Sequence, residues 1–288
     1  MNHADMTKRF TSSIFCFSIL FLLFLPTVSS AVTSSDSVYT VKTIVLDAGH
    51  GGEIPGARGA TSLEKDIALQ VVLKLGKAIE REMPGVRVLY TRTTDVNVEL
   101  YKRIEFANKN RADLFISVHC NAAPAVRVRR RNSSGKYYYV TQQNKSIRGT
   151  ETFVSGFHRL GEQDAAIREN ADILLEDNYE ENYQGFDPND PASYIVFSLM
   201  KNQFREQSIK LATLIQEQYR ASGREDRGVQ EQGLAVLAAA GMPAVLTEIG
   251  FISNPDEETY MKSEKGQAEI VQNLLNAIQH YKRAVEHR

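Results

Sequence analysis

The chain has 288 residues, 42 % of them hydrophobic and 24 % charged, with a formal net charge of −1. That length can bury one sizeable core, in one elaborated domain or two small ones, and the element pattern favours one. The near-neutral balance gives no reason to expect nucleic acid as a partner.

At the N-terminus, Lys8 and Arg9 precede an apolar run from about Ile14 to Pro26, followed by Val28-Ser-Ser-Ala31. This is the layout of a secretory signal peptide over residues 1–30, cleaved after Ser30. Its apolar run is shorter than the roughly 20 residues of a membrane span, so no integral membrane segment is expected after cleavage, although an uncleaved anchor is the alternative. Of the two cysteines, Cys16 falls in this leader and Cys120 stands alone in the mature chain, which excludes an internal disulfide. Residues 31–41 read as a flexible lead-in and 42–288 as the folded domain.

Thr43 to Asp47 reads as the first strand and the Gly-rich stretch 49–59 as a loop. From Leu63, apolar residues at Ile67, Val71, Leu75 and Ile79 recur at helical spacing and stop near Pro84-Gly85. Val86 to Thr91 reads as a second strand, Val98 to Lys109 as a helix, and Leu114 to Val118 as a third strand. The expected fold class is therefore α/β, a single domain with a mostly parallel sheet flanked by helices on both faces. Further core pieces are expected at Leu234–Leu237 and Ala244–Thr247, with closing helices at about Pro255–Met261 and Gln267–Val285.

Between about 124 and 204 the core pattern is interrupted. The stretch holds a basic run (Arg127, Arg129, Arg130, Arg131), an aromatic strand-like piece (Tyr137 to Val140), a helical piece from Gln163 to Leu175 and an acidic, turn-rich piece from Glu180 to Pro191. A long helix from Ser193 to Tyr219 follows. We read 124–204 as an inserted, mainly helical segment placed to cover a site; a peripheral elaboration is the plainer reading. The arginine run reads as a solvated loop, or as a contact for peptide carboxylates.

Three motifs end apolar runs: Asp47-Ala-Gly-His50-Gly-Gly, Ser117-Val-His119-Cys-Asn121 and Thr247-Glu248-Ile-Gly250. Strand carboxyl ends are where open α/β sheets keep their chemistry. Two histidines and two or three carboxylates there point to a mononuclear metal site with a general base, and so to a hydrolase. His50 and His119 are the nitrogen donors; His158 has no companion carboxylate. Glu64, opening the first helix, is the leading third ligand, with Glu53 competing and a helix-dipole carboxylate as the plain reading. Glu248 is either the general base or a structural partner of an arginine.

These motifs together, with Glu64-Lys-Asp66 and the continuation to Asn254, resemble the zinc-dependent N-acetylmuramoyl-L-alanine amidases of the AmiC type. The resemblance runs from about Thr43 to Tyr281. It implies Zn2+ held by His50, Glu64 and His119, with Glu248 catalytic, and cleavage of the amide between N-acetylmuramic acid and L-alanine in peptidoglycan, in wall remodelling or daughter-cell separation. It further implies a secreted, periplasmic protein, and an insertion helix whose glutamate occupies the zinc at rest. Arg168-Glu169-Asn170 is the nearest match to that element, making Glu169 the inhibitory ligand with Glu176 as runner-up, and an activator of the LytM-domain type would displace it. Cys120 departs from the family pattern and reads either as an oxidation-sensitive thiol or as a buried, inert one. A non-catalytic wall-binding module and a zinc peptidase of related fold are the competing assignments.

Overall fold

The computed structural model describes residues 39–156, 164–183, 186–187, 190, 193 and 203–286. The expected leader, most of the lead-in, His158 and most of the first turns of the helix expected from Ser193 lie outside these residues.

Strands β1 (Thr43–Ala48), β2 (Arg87–Tyr90) and β3 (Leu114–Asn121) alternate with helices α1 (Glu64–Glu82) and α2 (Leu100–Lys109). A hairpin follows, β4 (Ala125–Arg131) and β5 (Tyr137–Gln143), then β6 (Thr150–Ser155). After β6 come α3 (Asp164–Asn170), a 3-10 turn at Ala171–Leu175, α4 (Tyr179–Asn182) and α5 (Arg205–Ala221). The chain closes with β7 (Asp226–Gln232), α6 (Ala235–Ala238), β8 (Ala244–Phe251), α7 (Pro255–Lys262) and α8 (Glu264–Glu286).

Six strands form one sheet in the order β2-β1-β3-β8-β6-β7, while β4 and β5 pair separately. β2, β1, β3 and β8 run parallel; β6 lies antiparallel to β8 and parallel to β7. The expected mostly parallel α/β domain is therefore present.

Side-chain alternation divides the sheet into two faces. Ile44, Leu46, Leu114, Ile116, Val118, Val245 and Ile249 pack with Val71, Leu75, Ile215, Leu274 and Ile278 from α1, α5 and α8. The opposite face carries Val45, Phe115 and Leu246 under α2 and α6. Each such buried side chain contributes about 1.5–3 kcal/mol over its exposed state. Continuing the second face toward the strand ends puts Asp47, Ser117, His119 and Glu248 on one side of one edge, with Asp47 beside Ser117 and His119 beside Glu248 in register.

Two expectations need correction. Among its described residues, the segment 124–204 is not mainly helical, because it contains the β4–β5 hairpin and β6, a fully buried strand of the main sheet. β6 carries no long apolar run to mark it in the sequence, because its buried polar residues are satisfied by distant partners. Glu151 accepts from Asn121 Nδ2 at 2.8 Å and Arg227 Nε at 2.6 Å, and Thr152 Oγ1 donates to the side-chain oxygen of Gln216 at 2.8 Å. Leu234–Leu237 is buried as the expected core piece, and Ala235–Ala238 forms a helical turn there. The lead-in expected to reach residue 41 also ends earlier: Val41 is fully buried and its N–H donates to Glu286.

The last motif closes with a helix cap. Asn254 accepts from the N–H groups of Asp256 and Glu257, and Pro255 fills the first turn of α7. Among the described residues, no helix is long and apolar enough to cross a membrane.

Candidate metal centre

His50, Glu64, His119 and Glu169 converge on one buried point, with ligand atoms all within 4.8 Å of one another. β1 hands the chain to His50, which adopts a left-handed φ of 57°. A non-glycine residue there is sparsely populated, and such backbone clusters at functional sites. Two glycines make the approach possible. A Cβ at Gly49 would lie 2.4 Å from the His119 ring, and one at Gly56 would lie 2.4 Å from the His50 ring and 2.5 Å from Glu64 Oε2.

Glu64 projects from the first residue of α1 and is completely buried. The N–H groups of Ala57 and Cys120 donate to its two oxygens at 2.7 and 2.9 Å. The same oxygens face His50 Nε2 at 3.2 Å and His119 Nδ1 at 3.0 Å. Burial alone would raise its pKa, but the neighbouring histidines outweigh this and hold it down to about 2.

Glu169, from α3, brings Oε2 to 2.8 Å from His119 Nδ1 and 3.3 Å from His50 Nε2. Asn170 fixes this helix to the chain before α6, donating to the Gly233 carbonyl at 2.8 Å and accepting from Ala235 N at 2.9 Å. One residue back, Arg168 donates from Nε to Glu169 Oε1 and from Nη2 to Glu248 Oε1, both at 2.7 Å. Glu248 is thus paired with an arginine, as one of the two sequence readings held, while standing in register beside His119. Burial pushes Glu248 up to about 8; Arg168 opposes this, and Glu169 and Glu64 add to it.

The donor set fits a divalent cation. His50 Nε2, Glu169 Oε2 and Glu248 Oε2 are buried without a well-formed hydrogen bond, and such atoms call for an explanation. Burial disfavours charge on both imidazoles, yet the carboxylates of Glu64 and Glu169 override it, taking His119 to about 10 and His50 well above its ordinary range. Two imidazoles set against two buried carboxylates leave a net negative charge that a dication can balance, with release of any imidazole protons. Mixed nitrogen and oxygen donors of this kind suit zinc.

Other candidates lie elsewhere. Glu53 is exposed and outside the cluster. Glu176 accepts from Leu100 N at 2.8 Å and Tyr183 Oη at 2.6 Å, capping α2 rather than reaching the histidines. Cys120 is fully buried on the opposite face, and burial pushes its thiol well up, which fits the inert reading.

Sequence reasoning missed three contributors. Asp172 Oδ2 lies 2.8 Å from His50 Nδ1, orienting the ring from the outer side. Its position three residues after Glu169 places it on the same helical face, the one signal available beforehand. Arg103 donates to Asp47 Oδ1, Ala48 O and His50 O at 2.7–2.9 Å, and Arg92 donates to Ala48 O and Gly49 O. Asp47, also bound by Ser117 and Thr91 at 2.6 Å, therefore builds the turn that presents His50.

Two imidazoles and two carboxylates gathered at the ends of a parallel sheet define an α/β protein whose buried cluster can hold a metal ion. A family model described as N-acetylmuramoyl-L-alanine amidase matches residues 44–280, and the chain belongs to that family. It is 27 % identical over 240 residues to the AmiC amidase of Escherichia coli O6:H1, covering 83 % of this chain and 52 % of that protein. It is 31 % identical over 242 residues to the endolysin of Bacillus phage SPP1, covering 82 % and 66 %. A crystal structure of an N-acetylmuramoyl-L-alanine amidase from Clostridium difficile 630 shares the fold with a TM-score of 0.59 at 24 % identity, over 84 % of this chain and 97 % of that one. The chain spans about half the length of the AmiC relatives it matches.

Proposed function

We propose that the protein is a zinc-dependent hydrolase of peptidoglycan that cleaves the amide between the lactyl group of N-acetylmuramic acid and L-alanine of the stem peptide. The observation that carries this reading is the buried convergence of His50, Glu64 and His119 with Glu248 in register beside His119. His50, Glu64 and His119 hold the zinc. When bound, zinc supplies a Lewis acid that polarises the scissile carbonyl and lowers the pKa of a water toward neutrality.

Glu248 is the general base. Its carboxylate takes a proton from the attacking water and passes it to the departing alanine nitrogen as the C–N bond breaks. A proton affinity raised by burial suits both receipt and release near neutral pH.

On this reading, the contacts of α3 with the cluster belong to a resting state of the enzyme. Glu169 fills the position that substrate must occupy, and Arg168 neutralises and holds the base. Access to the site then requires withdrawal of α3, which a LytM-domain type of activator would favour. The leader over 1–30 directs the protein out of the cytoplasm to the periplasm, where it acts in wall remodelling or daughter-cell separation.

Digestion of purified peptidoglycan, followed by fragment identification, tests the assignment. The expected products are free stem peptides beginning with L-alanine and intact glycan strands. Cleavage within the peptide would mark a zinc peptidase instead, and no release in the presence of zinc by protein lacking the Glu169 side chain would mark a non-catalytic module.

A further inference from the structure

From Ala122 to Thr150 the chain carries seven Lys and Arg and no Asp or Glu, in a protein whose formal net charge is −1. The β4–β5 hairpin displays much of this charge on one face. Its register places Arg127 opposite Thr141, Arg129 opposite Tyr139 and Arg131 opposite Tyr137, so three arginines and two tyrosines share that side. Tyr137 and Tyr139 are 52 % and 60 % exposed.

The arginines make no ion pair among the described residues. Arg127 lies 5.0 Å from the Tyr139 ring, and Arg129 lies 3.6 Å from that of Tyr137. Arg131 donates to the Gly135 carbonyl. Stacking on a ring restrains a guanidinium while leaving its N–H edge free to take an anion. Held this way, the groups lose less freedom on binding a carboxylate than solvated side chains would.

The hairpin is rooted at the metal centre. β3 ends two residues beyond His119, and β4 starts at Ala125. A cleft of about 290 Å³ beside that root is lined by Asn121, Pro124, Ile147, Glu151 and Arg168, and Arg168 in turn bonds Glu169 of the cluster. Seven-residue strands extend roughly 23 Å, farther than one bond's immediate surroundings. The turn, Asn132-Ser-Ser-Gly-Lys136, is polar, which argues against insertion into a lipid surface.

We infer that this Arg/Tyr face is a substrate-binding exosite that grips the carboxylates of stem peptides neighbouring the one being cut. The inference rests on the proposed peptidoglycan reading and adds a second contact to it. It makes the enzyme prefer polymer over fragment without changing the chemistry at Glu248.

Cosedimentation with peptidoglycan sacculi stripped of phosphodiester polymers tests it, using the purified protein and an R127Q/R129Q/R131Q variant. The triple variant is expected to bind roughly tenfold more weakly, the scale of several exposed charge contacts acting together. R127K/R129K/R131K, which keeps the charge but loses the planar stacked edge, should bind between parent and Gln variant, and added salt should weaken the parent. Amidating the sacculi's free carboxylates should reduce parent binding to the level of the Gln variant. Thermal midpoint and turnover of a small soluble muramoyl-L-alanine peptide should match between parent and Gln variant. Equal binding by the Gln variant would overturn the inference, as would binding that survives amidation. It would also fall if the parent bound only unstripped sacculi or only anionic phospholipid vesicles. Failure of protein lacking the Glu169 side chain to cleave the soluble fragment would instead count against the proposed activity, and the binding results would still decide the exosite.

Discussion

Arg168 ties Glu248 to α3, the helix that supplies Glu169. One guanidinium, about a quarter exposed, bridges Glu169 and Glu248 at 2.7 Å each. The proposed base and the fourth carboxylate of the cluster are therefore linked through a single side chain, and both contacts would break if α3 moved. Breaking this link should shift the population toward an open site.

Glu169→Ala and Arg168→Ala should each raise basal hydrolysis of purified peptidoglycan, by about tenfold, which corresponds to roughly 1.4 kcal/mol less bias toward the covered state. Dye release from labelled sacculi without any activator measures this. A rate unchanged or lowered in both variants would remove the regulatory reading and leave the metal centre intact.

Asp172 makes a separate prediction, because it touches His50 from the side away from the cluster. Outer partners of ligating histidines typically govern metal affinity over about 10–100-fold. Asp172→Ala should therefore weaken zinc binding by about tenfold in a chelator-competition titration. An unchanged affinity would mean that the carboxylate serves only to dock the 3-10 turn.

Glu258 ties the turn just before α1 to α7. It accepts from Ala60 N, Thr61 N and Ser62 Oγ at 2.7–2.9 Å. Burial would raise this carboxyl, but the hydrogen bonds prevail and hold it down to about 2. A depressed folded value means that its stabilisation is present above the ordinary carboxylate range and is lost as pH falls toward about 2. Glu258→Gln should cost about 1–2 kcal/mol at neutral pH, the scale of lost charge-assisted hydrogen bonds, and the deficit should shrink on acidification. Urea midpoints at neutral pH and near pH 3 check this; parallel curves for parent and variant would refute it.

The sequence was most legible where apolar runs ended in a polar residue. β1, β3 and β8 are buried over their whole length, so hydropathy located them, and the residues breaking the runs were those at the site. β6 and β7 were missed because their polar side chains find partners far along the chain, such as Glu151 with Arg227. Glu169 was reached by resemblance, whereas the contacts of Arg168 and Asp172 depend on where α3 docks. That docking is set by Asn170 against Gly233 and Ala235, residues more than sixty positions away, and no local pattern carries it.

His50, Glu64 and His119 are proposed to hold one zinc ion while Glu248 moves protons beside it. Zinc content and hydrolysis should be measured together for His50→Ala, Glu64→Ala, His119→Ala and Glu248→Gln. The first three should lose stoichiometric zinc and activity alike. Glu248→Gln should keep one zinc per chain while its rate falls by about 10²–10⁴-fold. Full zinc occupancy in the ligand variants, or near-parental activity in Glu248→Gln, would contradict the account.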